Sequence, residues 1–212
     1  MSAGKFITLE GIEGAGKSTA TAFVVATLRA AGLPVLATRE PGGTALAERI
    51  RQIVLERGTE SVTPMTETLL MFAARALHVS NLIRPALARG EWVVCDRFTD
   101  ATRAYQGSAR GVDATLIEQL AQAVHPDLQP DCTLLLDLPV PVGLARARAR
   151  TGATDRFEAE TVAFFEKVRA GYLEIARRAP TRVRIIDAAA PLAQVERQLA
   201  GVLTQLLPQR PA

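Results

Sequence analysis

Five short apolar runs punctuate the chain: Phe6–Leu9, Val35–Thr38, Trp92–Asp96, Thr133–Leu138 and Val183–Asp187. They are nearly continuous rather than alternating, the pattern of strands buried on both faces of a parallel sheet. Between them lie Ala-, Leu-, Arg- and Glu-rich segments, roughly 18–31, 44–57, 65–88, 113–124, 140–150, 158–178 and 191–206, that suit helices. Strand–helix alternation of this kind predicts an α/β fold, a central five-stranded parallel sheet flanked by helices on both faces. No internal repeat, low-complexity tract or interdomain linker interrupts the pattern, so one domain over residues 1–212 is expected, with the tail at 208–212 frayed.

The ends of the apolar runs are where the pattern turns polar. The first runs into GIEGAGKST, the second into REPGG, the third ends in Asp96-Arg97, the fourth reaches Asp137 and the fifth Asp187. Open α/β sheets bind ligands at the carboxyl ends of their strands, so these loops are the candidate site.

Composition narrows the chemistry. Of 212 residues, 48% are apolar and 22% charged, which excludes a disordered chain. A net charge of +3 permits anionic partners without demanding nucleic acid. Three of the 25 cations are lysines (Lys5, Lys17, Lys167) and the rest arginines, so a lysine in a special place is informative. Cys95 and Cys132 sit in apolar runs and read as small buried hydrophobes. His78 and His125 are far apart, and no Cys/His cluster has zinc-ligand spacing. The N-terminus runs straight into FITLE with no signal-peptide pattern, and no apolar run approaches the ~18 residues of a membrane span. A cytoplasmic protein is the expectation.

Residues 11–18, G-I-E-G-A-G-K-S, match G-x-x-x-x-G-K-[ST] in full. Gly11, Gly14 and Gly16 permit the tight turn whose successive N–H groups cradle phosphate. Ile12, Glu13, Ala15 and Thr19 complete the loop. Lys17 is the cation for the β- and γ-phosphates, and Ser18 offers a hydroxyl to Mg²⁺. The strand before and helix after are the context this motif requires. The chain lacks the N-K-x-D guanine signature of GTPases, since its one asparagine, Asn81, precedes Leu82. That favours a kinase acting on a small acceptor over a GTPase switch.

Taken together and in order, FITLEGIEGAGKST, TREPGGT at 38–44, DRFTDATRAYQG at 96–107 and RARARTGATDRFE at 146–158 resemble the bacterial thymidylate kinase family, over about residues 5–206. The resemblance implies a P-loop kinase fold with a mobile lid, here about 143–157. It implies transfer of the γ-phosphoryl of Mg·ATP to dTMP, giving dTDP, by a homodimer. It implies that Arg39, Pro41 and Arg97 meet the acceptor phosphate side and that Asp96 joins Ser18 in holding Mg²⁺. By the same resemblance Phe72 stacks on thymine, Arg75 hydrogen-bonds a base carbonyl, Thr102, Tyr105 and Gln106 face the base edge and sugar, and Glu13 faces the acceptor sugar. Arg146 and Arg150 belong to the ATP side. With Ala15 where some members carry a loop arginine, the transition-state cation comes from the lid, Arg150 fitting best by position, with Arg148 and Arg156 as alternatives.

The residues themselves leave other readings open. Periodicity with Leu69, Ala76 and Leu77 makes Phe72 equally a core aromatic. Arg39 and Arg97 could be surface ion pairs, Asp96 a helix cap, Glu13 a solvated carboxylate, and the 146–156 arginines a solvated face. A kinase for another nucleoside or nucleotide keeps every phosphate-handling feature, because stacking tolerates any base. A P-loop switch or nucleic-acid-binding protein is disfavoured by the small net charge.

Overall fold

A computed structural model describes residues 4–56, 60–149, 156, 157 and 160–207. Five strands, β1 (Phe6–Glu10), β2 (Val35–Arg39), β3 (Trp92–Asp96), β4 (Cys132–Asp137) and β5 (Val183–Asp187), form one wholly parallel sheet in the order β2-β3-β1-β4-β5. The three central strands are almost fully buried, as their unbroken apolar runs require. The two edge strands are half open: Arg39 and Ile185 face solvent. Two buried threonines, Thr8 and Thr133, satisfy each other across β1 and β4 at 2.8 Å, so the core keeps no unpaired hydroxyl there.

Nine α-helices surround the sheet: α1 (Lys17–Ala30), α2 (Ala45–Leu55), α3 (Pro64–His78), α4 (Arg84–Ala88), α5 (Thr99–Thr102), α6 (Ala114–Val124), α7 (Val140–Arg148), α8 (Val162–Arg178) and α9 (Leu192–Leu206), as seen among the described residues. Several begin on the residue their chemistry favours. Thr44, Thr63, Asp113 and Thr161 each accept a hydrogen bond from a backbone N–H in the first turn. Helix α1 is the exception. Its cap is Gly16 at φ 86°, which supplies no side chain, so the N–H groups of the first turn are left for a ligand.

Two departures from the sequence expectation involve helical register. The segment 65–88 is not one α-helix: residues Val79–Ile83 form a π-helical turn between α3 and α4. Pro85 lacks the N–H that an uninterrupted ladder would direct at Asn81, and the wider turn absorbs the break. The polar stretch after β3, expected only as a motif-bearing loop, is helical, with α5 continuing into a π-helical segment at Arg103–Ala109. The expected lid falls partly at 150–155, outside the described residues, as does the tail at 208–212. No described helix is long and apolar enough to cross a membrane.

The order of the strands fixes the location of the site. From β1 the chain passes over β3 to β2, while from β3 it crosses β1 to β4. The strand order therefore reverses direction around β1, and a crevice opens at the carboxyl ends of β1 and β3.

Candidate active site

The loop leaving β1 and the loops leaving β2 and β3 wall one cavity of about 560 Å³. Its phosphate-loop side presents Glu13, Gly14, Gly16, Lys17, Ser18 and Thr19. Gly11, Ile12 and Ala15 do not line it: Ile12 and Ala15 are buried beneath the loop and anchor it to the core. A side chain at Gly14 would run into the carbonyl of Gly143, so the loop lies directly against the start of α7. Lys17 Nζ donates to the carbonyls of Gly11 (3.1 Å) and Ile12 (2.9 Å) and is stretched across the loop mouth. Desolvation, helped by the nearby Arg97 guanidinium, lowers its pKa to about 8. An incoming polyphosphate would favour the charged form further and raise that value again.

The end of β3 supplies the next pair. Asp96 lines the cavity beside Ser18, and its Oδ1 is buried with no hydrogen-bond partner among the described residues. A buried carboxylate oxygen left unpaired is costly unless something binds it. Hard oxygen donors so placed fit a divalent cation such as Mg²⁺ that takes its other ligands from phosphate and water.

Arg97 is held in a conformation non-glycine residues rarely adopt, φ 72°, the one such case among the described residues. Its Nη2 donates to Glu13 Oε1 at 2.9 Å and its Nη1 to Tyr172 Oη at 3.2 Å, while the guanidinium lies 4.8 Å from the centre of the Tyr105 ring. Tyr105 in turn donates to Glu13 Oε2 at 2.6 Å. The predicted trio Glu13, Arg97 and Tyr105 is thus one hydrogen-bonded unit on the cavity wall.

On the far wall, Arg75 is fixed on almost every side. Its Nε donates to Glu40 Oε2 (2.7 Å) and its Nη2 to Thr102 Oγ1 (3.0 Å) and the Phe98 carbonyl (3.2 Å). Its Nη1 is buried and unpartnered among the described residues. Glu40 also bonds His78 Nδ1 at 2.9 Å, whose Nε2 meets Thr38 Oγ1 at 2.7 Å. Burial opposes the Glu40 charge, but Arg75 and His78 outweigh it and hold the carboxyl below its ordinary pKa. Gln106, also on the wall, donates its amide N–H to the fully buried Glu67 at 2.7 Å.

One expectation is corrected. Phe72 is buried, packs with Ile117 and Ala121, and does not line the cavity; the Arg75 guanidinium lies over its ring at 4.8 Å. The α3 residue that reaches the wall with Arg75 is Met71, four positions earlier. Met71 and Arg75 form an i, i+4 pair on the cavity side, whereas Phe72 is turned toward α6 by the periodicity that marked it as core. Arg39 lines the cavity mouth, exposed and paired with Glu48 at 2.9 Å. Pro41 lines it after a cis peptide bond from Glu40.

Among the arginines expected in a lid, Arg146 lines the cavity and donates to the Ala188 carbonyl at 2.7 Å. It also borders a neighbouring apolar pocket of about 210 Å³ between the phosphate loop and α9, walled by Ala15, Phe23, Ala190 and Leu199. Arg148 is exposed and Arg150 lies outside the described residues. Arg156 is turned away from the cavity, donating to the Val54 carbonyl at 3.0 Å and lying 2.7 Å from Glu67.

Sequence reasoning passed over Glu10, Glu40, Arg51, Met71 and Tyr172. Glu10 is fully buried, accepting from the Phe98 N–H and the Tyr172 hydroxyl, both at 2.7 Å. Its signal was a carboxylate closing an otherwise apolar run. Arg51 lines the cavity and donates to the Pro41 carbonyl at 3.0 Å. Tyr172, far along the chain on α8, carried no signal.

The thymidylate kinase family model matches residues 9–199. A thymidylate kinase of Pseudomonas savastanoi pv. phaseolicola is 58% identical over 207 residues, 98% of each chain. One of Bordetella pertussis is 56% identical over 206 residues, 97% of each. A solved structure of the Ehrlichia chaffeensis thymidylate kinase superposes with a TM-score of 0.76 at 32% identity, covering 95% of this chain and 99% of its own. The chain belongs to the thymidylate kinase family.

Proposed function

We propose that this enzyme transfers the γ-phosphoryl group of ATP to dTMP, giving dTDP and ADP, with the residues of the 560 Å³ cavity in the following roles. The observation that carries the assignment is the pair of unsatisfied buried atoms on residues lining this cavity, Asp96 Oδ1 and Arg75 Nη1. One asks for a cation beside a phosphate loop. The other offers a donor to an acceptor atom on a bound base.

ATP places its phosphates over the free N–H groups of α1, with Lys17 on the β- and γ-phosphates. The apolar pocket beside Arg146 takes its base. Ser18 and Asp96 would hold Mg²⁺, which when bound neutralises charge on the donor phosphates. dTMP occupies the far wall. Arg97 grips its phosphate, as a planar fork suits, with Arg39 at the mouth. Arg75 donates from Nη1 to a base carbonyl, and Thr102 and Gln106 bound the base edge. Met71 offers a polarisable apolar surface to the ring, and Phe72 acts through Arg75, which it backs. Tyr105 and Glu13 face the sugar. An acceptor phosphate oxygen, already anionic near pH 7, attacks the γ-phosphorus in line while ADP leaves, so no general base is needed. Arg150 supplies the lid cation on the transferring group, since Arg156 is committed to Glu67 and Val54.

The enzyme acts as a cytoplasmic homodimer. Met65, Leu69 and Ala73 leave an exposed stripe of small and apolar side chains along α3, and Leu46 and Ile53 do so on the adjoining α2.

The test is ADP release from Mg·ATP with dTMP, dUMP, dCMP, dGMP and ribothymidine monophosphate as acceptors. Turnover with dTMP well above all others is expected. Preference for dCMP or dGMP would discard the base assignments of Arg75 and Gln106.

A further inference from the structure

Arg97 meets two kinds of partner. Glu13 and Tyr105 belong to the cavity wall and have tasks of their own toward a ligand. Tyr172 and Glu10 do not line the cavity, and both are buried. Tyr172 Oη accepts from Arg97 Nη1 at 3.2 Å and donates to Glu10 Oε2 at 2.7 Å. The other oxygen of Glu10 accepts from the N–H of Phe98 at 2.7 Å. That N–H immediately follows the left-handed Arg97, whose own N–H bonds the Leu9 carbonyl at 2.9 Å.

One carboxyl side chain therefore holds both ends of the same residue: its strained peptide junction directly, and its guanidinium through a phenol. A non-glycine residue in this backbone region is strained and persists only where its surroundings determine it. The anchors stand on rigid elements, the end of β1 and the middle of α8, rather than on a loop.

We infer that Tyr172 and Glu10 are a positioning pair that sets the rotamer and backbone bend of Arg97 for the acceptor phosphate. This rests on the role given to Arg97 above. Neither residue lines the cavity that the substrates would enter. Glu13 alone would leave the guanidinium free to swing with the phosphate loop.

The test is a double-mutant cycle of Tyr172→Phe with Arg97→Ala, read as steady-state kinetics in both substrates. Phe keeps the ring and its packing, so the fold is retained, with the melting temperature lowered by only several degrees through the unpaired Glu10 oxygen. Tyr172→Phe lowers kcat/KM for dTMP about tenfold, with KM for ATP unchanged, the loss expected for one hydrogen bond to a charged group. On the Arg97→Ala background the same change alters kcat/KM less than about twofold, because what it positions is gone. Glu10→Gln keeps an oxygen for the Phe98 N–H but puts an amide against Tyr172. Its loss is expected not to add to that of Tyr172→Phe, and it carries the comparison should the Phe variant fold poorly. Wild-type kinetics for Tyr172→Phe, or a full tenfold loss repeated on Arg97→Ala, would overturn the inference. Wild-type turnover by Arg97→Ala itself would instead remove the role assigned to Arg97, and the positioning role with it.

Discussion

Glu10 is a carboxyl sealed at the end of a buried strand, and its titration should be visible in the stability of the whole chain. Burial, reinforced by the Asp100 carboxylate, raises its pKa from the ordinary 4.5 to about 8, with Arg97 and the hydrogen bonds of Tyr172 and Phe98 pulling the other way. Between those values the folded chain keeps a proton that the unfolded chain has lost. The stability this contributes is complete below about pH 4.5 and disappears as pH rises through about 8. Each pH unit in that window is worth about 1.4 kcal/mol at most. Urea denaturation of wild type and Glu10→Gln at pH 5.5 and pH 8 isolates the group, because other carboxyls cancel in the difference. The variant should gain on wild type by roughly 2–3 kcal/mol between the two. An unchanged difference would mean Glu10 ionises as an ordinary carboxyl. The same residue shows what could be read from sequence and what could not. The phosphate loop was legible because its chemistry is contiguous: nine residues make the turn, the cation and the hydroxyl. Asp96 and Arg97 were legible as polar residues closing an apolar run. Glu10 closes one as well, but the glycine-rich motif that follows masked it. Its partner Tyr172 lies 162 positions away, a separation that no local pattern bridges.

Between elements, the strand-end loops and α3 are cross-linked by a chain of buried polar groups, Thr38–His78–Glu40–Arg75–Thr102. This chain joins β2, α3 and α5, so the donor proposed to face the base is positioned by three elements at once. Helical periodicity placed Arg75 on α3 and marked Phe72 as core, whereas the resemblance put Phe72 on the wall where Met71 stands. Phe72 and Arg75 touch as ring and cation inside the core, while Met71 and Arg75 share the wall. Nor did the sequence mark the π-helical turns, since they arise from ladder register near Pro85 and after α5 rather than from composition. Glu40→Gln keeps the shape and removes the charge that pairs Arg75. Breaking one side of a buried ion pair costs roughly 3–5 kcal/mol. The melting temperature should fall, and KM for dTMP should rise at least about tenfold with KM for ATP unchanged. Equal rises in both KM values would show that Glu40 supports the fold generally and not the acceptor wall.

At the scale of the molecule, the sheet gathers the phosphate loop, Asp96-Arg97 and the Arg75 cluster on one edge and leaves α2 and α3 with their outer faces uncovered. Leu46, Ile53, Met65 and Leu69 are 49%, 56%, 44% and 50% exposed, while the inward faces of the same helices carry Ala47, Val54, Thr68 and Ala74 in the core. A helix pair that is apolar on both sides is buried on both sides, and a second copy of the same chain would cover it by an isologous contact. The wall residues Arg51, Leu55, Met71 and Arg75 belong to these two helices, so a subunit contact on this face would be mechanically joined to the proposed acceptor pocket. Leu69→Glu combined with Ile53→Glu places charge on the outer face without touching the core. Sedimentation equilibrium should give twice the chain mass for wild type and the single-chain mass for the double variant, with an unchanged circular dichroism spectrum. Because α2 and α3 hold the acceptor wall, the monomer should also show a raised KM for dTMP. A wild-type monomer, or a double variant that stays dimeric, would rule out this face as the subunit contact.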